Sequence, residues 1–243
     1  MKSSGLLVVF FLLCATQAFP QNLDTLAASP TWLTLGHWYR EGPSYKSAVD
    51  DDSFFLSTFG ATDPKSELKA TIEAFRNPQT VADTVCKYPA RAHYLRTYIP
   101  SLIKPKCEKF KDWWKQIAPE SITLVFPSAY INNPASTFGH TLLRINATHG
   151  DPLLAYSTSY AASTNGENAI LYALKGVFGG YYGEFSLGPY YKRVSKYSEI
   201  ENRDIWEYDL DLTKPEVEQL VRHLWEIKSV KICLLYTSPS PRD

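Results

Sequence analysis

The sequence predicts an α+β protein in which a helical module, residues 19–118, is followed by a sheet-forming domain, residues 119–232. Two patterns carry this prediction. In the first range apolar residues recur at helical spacing, as Leu68, Ile72 and Phe75 do. In the second range short runs of β-branched and aromatic residues replace that spacing. With 44% hydrophobic and 21% charged residues among 243, the chain has the composition of one or two folded domains.

Residues 1–18 are expected to be a signal peptide rather than part of the fold. Lys2 precedes an apolar run at 6–15, and Thr16-Gln17-Ala18 has the small-residue spacing of a signal-peptidase site. The apolar run is too short for a comfortable membrane span. No small residue directly precedes Cys14, so we interpret this cysteine as part of the leader and not as a lipidation site.

Helix signals recur from the leader up to residue 117. Asp63 and Pro64 have the residue types of an N-cap and a first helical position, and Glu67 lies in the first turn. Further helices are predicted over 90–98 and 106–117. The last of these has one apolar face, made of Phe110, Trp113, Trp114 and Ile117. Such a face is more typical of a buried core than of a ligand site.

Cys86 and Cys107 are the two cysteines expected in the folded, exported chain. They lie 21 positions apart, and neither has a glycine-rich or histidine-adjacent context. A disulfide across a loop of this size contributes about 3 kcal/mol in the chain-entropy description. We therefore predict that they form a disulfide, with a catalytic thiol in one of them as the alternative.

Four strands are predicted in the second range, followed by a helix. The strands are 122–126, 141–145, 153–160 and 205–210. Thr213 and Glu216 have the spacing of a capping box, and an apolar helical face continues from there to about residue 228. His223 lies beside that face and is predicted to be structural.

A glycine- and tyrosine-rich stretch at 172–191 separates the third predicted strand from the fourth. It lacks the Lys-Ser/Thr ending of a phosphate-binding loop. We interpret it as an aromatic-rich loop or short hairpin that borders a pocket or a membrane surface. Two helical turns, at 169–177, are predicted to lead into it.

Charge and histidine spacing exclude several classes of function. The net charge is zero, with 25 basic and 25 acidic residues, so no electrostatic footprint for nucleic acid is present. The chain has five histidines. Apart from His140, they are His37, His93, His149 and His223, and these four show no metal-ligand spacing with one another or with a cysteine. We therefore expect neither metal nor cofactor. The 14% aromatic content suits a large core or a face that meets sugars or lipids.

The segment 133–145, which begins Asn-Pro-Ala-Ser-Thr-Phe-Gly-His-Thr, is the most informative part of the chain. It joins two predicted strands through a turn centred on Pro134, and such loops commonly carry chemistry. His140 can act as base or acid near neutral pH, although an ordinary half-buried histidine is the alternative. The residues expected to hold its loop or to orient its ring are Asn133, Ser136, Gly139, Thr141, Tyr156 and Ser157.

Several segments together resemble the N-terminal periplasmic domain of Lnb-type proteins, a family long described as a domain of unknown function. They are 124–128, 133–145, 179–183 and 203–208. The earlier segment with Trp32, Cys86 and Cys107 is similar to the helical module that precedes this domain in Gram-negative members. The resemblance implies an exported, periplasmic protein at the membrane surface, acting on lipoprotein or phospholipid acyl chains in lipoprotein N-acylation.

The same family is similar to circularly permuted papain-like folds of the NlpC and lecithin-retinol acyltransferase kind. This likeness implies an antiparallel sheet with helices, in which His140 is the general base and a later Cys at a helix N-terminus is the nucleophile. A thiol acyltransferase is then expected. The alternatives are a non-catalytic envelope binding module and a cell-wall amidase or peptidase that uses the same site.

Residues 233–243 resemble a translated sequencing adapter, a known artefact. We therefore expect the natural protein to continue past about residue 232. The matching Cys, and any membrane-spanning part, would lie in that continuation, and the present chain would be an inactive fragment.

Overall fold

Short helices and one hairpin make up the N-terminal module. The computed structural model describes residues 23–130, 139–162, 181–230 and 232–234. Within the first of these ranges the helices are α1 (Leu23–Ala27), α2 (Pro30–Leu35), α3 (Pro64–Arg76), α4 (Val81–Lys87), α5 (Pro89–Tyr98) and α6 (Glu108–Ile117). The hairpin is formed by β1 (Trp38–Glu41) and β2 (Ser44–Ser47).

The predicted helix signals are confirmed where they were strongest. The Asp63 carboxylate accepts hydrogen bonds from the amides of Lys65 and Ser66, and Pro64 is the first residue of α3. These contacts satisfy amides that have no partner within the helix. α6 ends at Ala118, which adopts a left-handed conformation with φ of 44°.

The hairpin and α4 were not predicted, because the module was expected to be helical. β1 and β2 contain mostly exposed polar residues and so lack a clear alternation of apolar side chains. Contacts from outside hold the hairpin instead: the Trp38 indole donates to the Gly60 carbonyl at 2.8 Å, and the Ser47 amide donates to the Ala61 carbonyl at 2.7 Å. Tertiary contacts thus override the local pattern.

A six-stranded antiparallel sheet forms the second part of the fold. Its strands, in chain order, are β3 (Pro119–Pro127), β4 (Leu142–Ala147), β5 (Tyr156–Ala162), β6 (Tyr181–Pro189), β7 (Ile205–Asp209) and β8 (Ile232–Leu234). They lie in the order β7-β3-β4-β5-β6-β8. The α+β class, with helices first and an antiparallel sheet second, is therefore confirmed.

The glycine-rich stretch departs from its prediction. Residues 181–189 form β6, which pairs with β5 over seven positions, and they are not a loop or an isolated short hairpin. Burial of Gly183 against Tyr160 explains one glycine, because a Cβ there would lie 2.1 Å from the phenol oxygen. The helical turns predicted at 169–177 lie outside the described residues.

Two helices pack on opposite faces of the sheet. α7 (Tyr190–Val194) continues as a π-helical turn, Ser195–Ile200, and α8 (Lys214–Ile227) begins with the predicted capping box of Thr213 and Glu216. Both α8 and the N-terminal module cover one face, where the buried residues include Ile122 and Ile145. The α7 segment covers part of the other face. Its Tyr190 and Tyr197 pack there on Val125 and Leu142.

A buried polar network joins the N-terminal module to α8. The Glu226 carboxylate accepts from the Ala90 and Arg91 amides at 2.7 and 2.9 Å, where α5 begins. Arg91 is fully buried and pairs with Glu67 at 2.5 Å. The His223 Nε2 lies 2.9 Å from the His37 Nε2. His223 therefore has the structural role that its position predicted.

The predicted disulfide between Cys86 and Cys107 is present. It links the end of α4 to the residue before α6. Of the helices in the described residues, none combines the length and the apolar character that crossing a membrane requires.

Candidate functional site

His140 lies just before β4 begins and is tied to the end of β3. Its amide donates to the Pro127 carbonyl at 3.3 Å, and its side chain is half-buried. The preceding Gly139 has φ of +92°, and a Cβ at this position would lie 2.6 Å from Cζ of Phe126. Both the backbone conformation and the available space require glycine. The position of His140 therefore depends on Gly139.

Arg203 holds the same end of β3 from the other side. Its side chain is 1% exposed. Nε donates to the Ser128 carbonyl at 2.6 Å and Nη2 to the Pro127 carbonyl at 2.9 Å. Nη1 donates to the Glu201 carboxylate at 2.8 Å. Each nitrogen of the buried guanidinium thus has an acceptor, which satisfies the charge in its dry surroundings.

Tyr197 contacts both of these side chains. Its ring centroid is 6.2 Å from that of His140, and the Arg203 guanidinium carbon is 4.8 Å from the same phenol ring. The Arg203 amide also donates to the Tyr197 carbonyl at 2.9 Å. The π-helical turn therefore forms a wall against the imidazole.

The surroundings favour an uncharged imidazole. Burial lowers the pKa of His140 below its ordinary value of 6.5. The cations Arg193, Arg203 and Lys196 lower this pKa further, whereas Glu201 opposes them. Neutral His140 can accept a proton at neutral pH. Glu201 pairs with Arg203 at 2.8 Å and with Lys196 at 3.9 Å. Arg193 is therefore the cation of the three that has no carboxylate partner among the described residues, and it could stabilise negative charge on a neighbouring nucleophile.

Polar residues continue along this face of the sheet, away from His140. The Arg144 guanidinium donates to Glu207 at 2.6 Å and to Thr123 at 3.2 Å. The Tyr190 hydroxyl donates to the other Glu207 oxygen at 2.6 Å. These contacts satisfy one another, so we assign this cluster to the structure of the β3-β4-β7 region.

The structure separates the residues predicted to support His140. Gly139 directly precedes it, and Thr141 is exposed immediately before β4. Asn133 and Ser136 lie outside the described residues.

Tyr156 and Ser157, predicted to orient the imidazole, have other partners. The Ser157 hydroxyl donates to the Gly188 carbonyl at 3.2 Å, and the Tyr156 hydroxyl accepts from the Gln116 amide. Ser157 pairs with Arg144 in the sheet, which places it roughly 13 Å along the strand from His140. Tyr156 instead lines a cavity of about 440 Å³ at the opposite end of β3 and β4.

Sequence reasoning missed Arg203, Tyr197 and Arg193 as neighbours of His140. Arg203 belongs to the 203–208 segment that carries part of the family resemblance. That resemblance was the signal in the sequence that could have identified Arg203 as a site residue. Tyr197 and Arg193 lie in a segment for which no element was predicted. Only the packing of that segment on the sheet reveals their position.

The described residues contain no group of three or more metal-ligating side chains. Cys86 and Cys107 are bonded to each other, so neither thiol is available as a nucleophile. The alternative of a catalytic thiol at one of these positions is therefore wrong.

Two family models match the chain. Residues 109–233 match the Lnb N-terminal periplasmic domain, and residues 24–98 match a domain of unknown function, DUF7843. No curated protein and no solved structure matches the chain. The family and the disulfide both support an exported, periplasmic location. Because the match at residues 109–233 covers more than half of the chain, the chain belongs to the family of Lnb N-terminal periplasmic domains.

Proposed function

We propose that this domain is part of a thiol-dependent acyltransferase of the cell envelope, with His140 as the general base. The observation that carries the proposal is the half-buried imidazole of His140 beside Tyr197, on which Arg203 stacks in turn. Burial and the nearby cations lower the pKa of His140, which favours its neutral form. A neutral imidazole takes the proton of a thiol, and surrounding cations favour the resulting thiolate. This is the chemistry that a Cys/His pair needs.

The reaction would proceed in two transfers. A thiolate attacks the carbonyl carbon of an acyl ester, the ester C–O bond breaks, and a thioester forms. Protonated His140 returns its proton to the departing alkoxide. An amine then attacks the thioester, losing a proton to His140, and the thiolate leaves as the N-acyl product forms.

The proposed substrates are acyl esters of lipoproteins or phospholipids. The segment that covers His140 also presents exposed apolar side chains, Tyr191 and Ile200. They offer a surface for an acyl chain, which water disfavours. Location at the membrane surface is part of the same proposal.

The test uses the natural gene, and the proposal requires that this gene encode a Cys after α8 to supply the thiol. In that protein, His140→Ala is expected to abolish acyl transfer to the amino terminus of a reporter lipoprotein, read by mass spectrometry. His149→Ala is the matched control, because His149 is exposed in a turn. The absence of any such Cys, or normal acylation by a folded His140→Ala protein, would refute the mechanism.

A non-catalytic envelope binding module is the second candidate. Trp206 and Tyr208 favour it, because they are 57% and 55% exposed on the edge strand β7. In that case Trp206→Ser weakens partner binding, while His140→Ala leaves the acylation state unchanged. An amidase or peptidase at the same site would instead release peptide fragments from cell wall in a His140-dependent manner.

A further inference from the structure

A cavity of about 310 Å³ lies where the N-terminal module, the segment before α6 and α8 meet. We call it the junction cavity. It is lined by the basic residues His93, Arg96, Lys104, Lys111 and Arg222, together with apolar side chains that include Phe110. No carboxylate is among its lining residues. In a chain with zero net charge, this concentration of cations needs an explanation.

Two carboxylates near the cavity offset part of the positive charge. Glu108 pairs with Lys111 at 3.6 Å, and Glu218 pairs with Arg222 at 3.0 Å. Arg96 and Lys104 have no ion-pair partner among the described residues. The cavity therefore keeps two uncompensated cations.

Arg96 has a donor without an acceptor. Its Nε–H is buried, and no acceptor for it exists within the described part of the chain. Its Nη2 donates to the Ile103 carbonyl at 2.7 Å, which fixes the guanidinium against the segment that carries Lys104. A buried N–H of a charged group is costly when unpaired. The protein therefore satisfies the Arg96 guanidinium only in part, and an anion in the cavity would offset its charge.

We propose that the junction cavity binds a phosphate group. Two guanidinium groups and two ammonium groups from three separate segments match an anion with several oxygens and more than one charge. Burial and Arg222 also lower the pKa of His93, whereas Glu218 raises it. An anion in the cavity would favour the charged form of His93.

The headgroup phosphate of an anionic phospholipid is the source that the surroundings favour over free phosphate. Ile103 is 40% exposed beside Lys104, and the half-buried Trp114 of α6 stacks on Arg222. Exposed apolar residues next to cations are typical of surfaces that meet a lipid headgroup region. This inference is independent of the chemistry proposed for His140.

Inorganic phosphate is the first probe, titrated into the full chain at constant ionic strength. Arg222 stacks on Trp114 with 4.4 Å between guanidinium carbon and ring centroid, so tryptophan fluorescence should report binding. We expect saturable binding that Lys104→Gln weakens about fivefold. Lys106→Gln is the matched control, because Lys106 is exposed nearby but does not line the cavity.

A second variant, Arg96→Lys, keeps the charge and removes the planar guanidinium, whose several N–H groups suit a phosphate. It should weaken phosphate binding. Its melting curve, measured by circular dichroism, should stay close to that of the parent chain, which shows that the variant is folded. Binding that does not saturate, or equal weakening by Lys104→Gln and Lys106→Gln, would show a diffuse basic surface and overturn the proposal.

Vesicles distinguish the two sources of phosphate. We expect sedimentation with phosphatidylcholine vesicles only when phosphatidylglycerol is included, with release by free phosphate and by Lys104→Gln. If the chain binds inorganic phosphate saturably but does not sediment with these vesicles, the phosphate site is supported and the lipid headgroup as its source is refuted.

Discussion

His140 and Arg203 donate hydrogen bonds to one acceptor, the Pro127 carbonyl oxygen, at 3.3 and 2.9 Å. The end of β3 therefore couples the candidate base to a buried cation from a segment more than sixty positions later in the chain. This relationship places Arg203 close enough to influence both the position and the protonation of the imidazole.

Arg203→Gln is expected to raise the pKa of His140 towards 6.5 without reaching it, because burial is the larger cause of the shift. It should also lower the free energy of unfolding by about 2 kcal/mol, since buried acceptors lose a charged donor. NMR titration of the His140 ring protons and urea unfolding measure the two effects. Lys192→Gln, an exposed neighbour, should change neither; an unchanged His140 pKa in Arg203→Gln would contradict the electrostatic argument.

Gly139→Ala should destabilise the domain for two reasons. The left-handed φ costs about 1 kcal/mol, and the clash of the new Cβ with Phe126 adds about 1–3 kcal/mol. Gly150→Ala isolates the first effect, because Gly150 also has positive φ, +129°, but nothing lies within 4 Å. Urea unfolding of both variants should therefore show the larger loss at Gly139, and equal losses would mean that Phe126 moves aside.

Reduction of the Cys86–Cys107 disulfide should lower the free energy of unfolding by about 3 kcal/mol, because the loop that it closes gains freedom in the unfolded chain. The comparison is between the parent chain and the Cys86→Ser, Cys107→Ser double variant in chemical denaturation. Arg96 and Lys104 both lie within the loop 86–107 that the disulfide closes, so the double variant should also bind phosphate more weakly. An unchanged free energy of unfolding would indicate that residues 86 and 107 stay close together in the unfolded chain even without the disulfide.

The His37–His223 contact predicts loss of stability in acid. Burial and then His223 lower the pKa of His37 from 6.5 to about 3. Because the pKa of His37 is lower in the folded chain, the unfolded chain binds a proton at His37 more readily. The contribution of neutral His37 to the free energy of unfolding is therefore complete above pH 6.5 and falls as the pH drops towards 3. At a pH of about 4.5 the loss should be on the order of 2 kcal/mol.

His37→Asn tests this dependence, because Asn tolerates the positive φ of 55° at this position. The variant should be less sensitive to pH between 6.5 and 3 than the parent chain. Thermal unfolding across that range provides the measurement, with His149→Asn as the exposed control. Parallel pH curves for the parent chain and His37→Asn would refute the role of His37.

Local chemistry made much of the fold predictable. The N-cap at Asp63, the capping box at Thr213 and the strands around 122–126 and 141–145 were visible because each depends on neighbouring residues. The hairpin at Trp38 and the strand β6 were not, since partners distant in the chain stabilise both.

The sequence by itself determined the α+β class and the disulfide partners, and it singled out His140 as a candidate base within a conspicuous motif. Those features depend on residue type, spacing and the chemistry of an exported chain. Only the tertiary structure decided that Arg203 and Tyr197 surround His140, and that Tyr156 and Ser157 do not. Strand register and the packing of the α7 segment set these distances, and both arise from contacts between residues far apart in the chain.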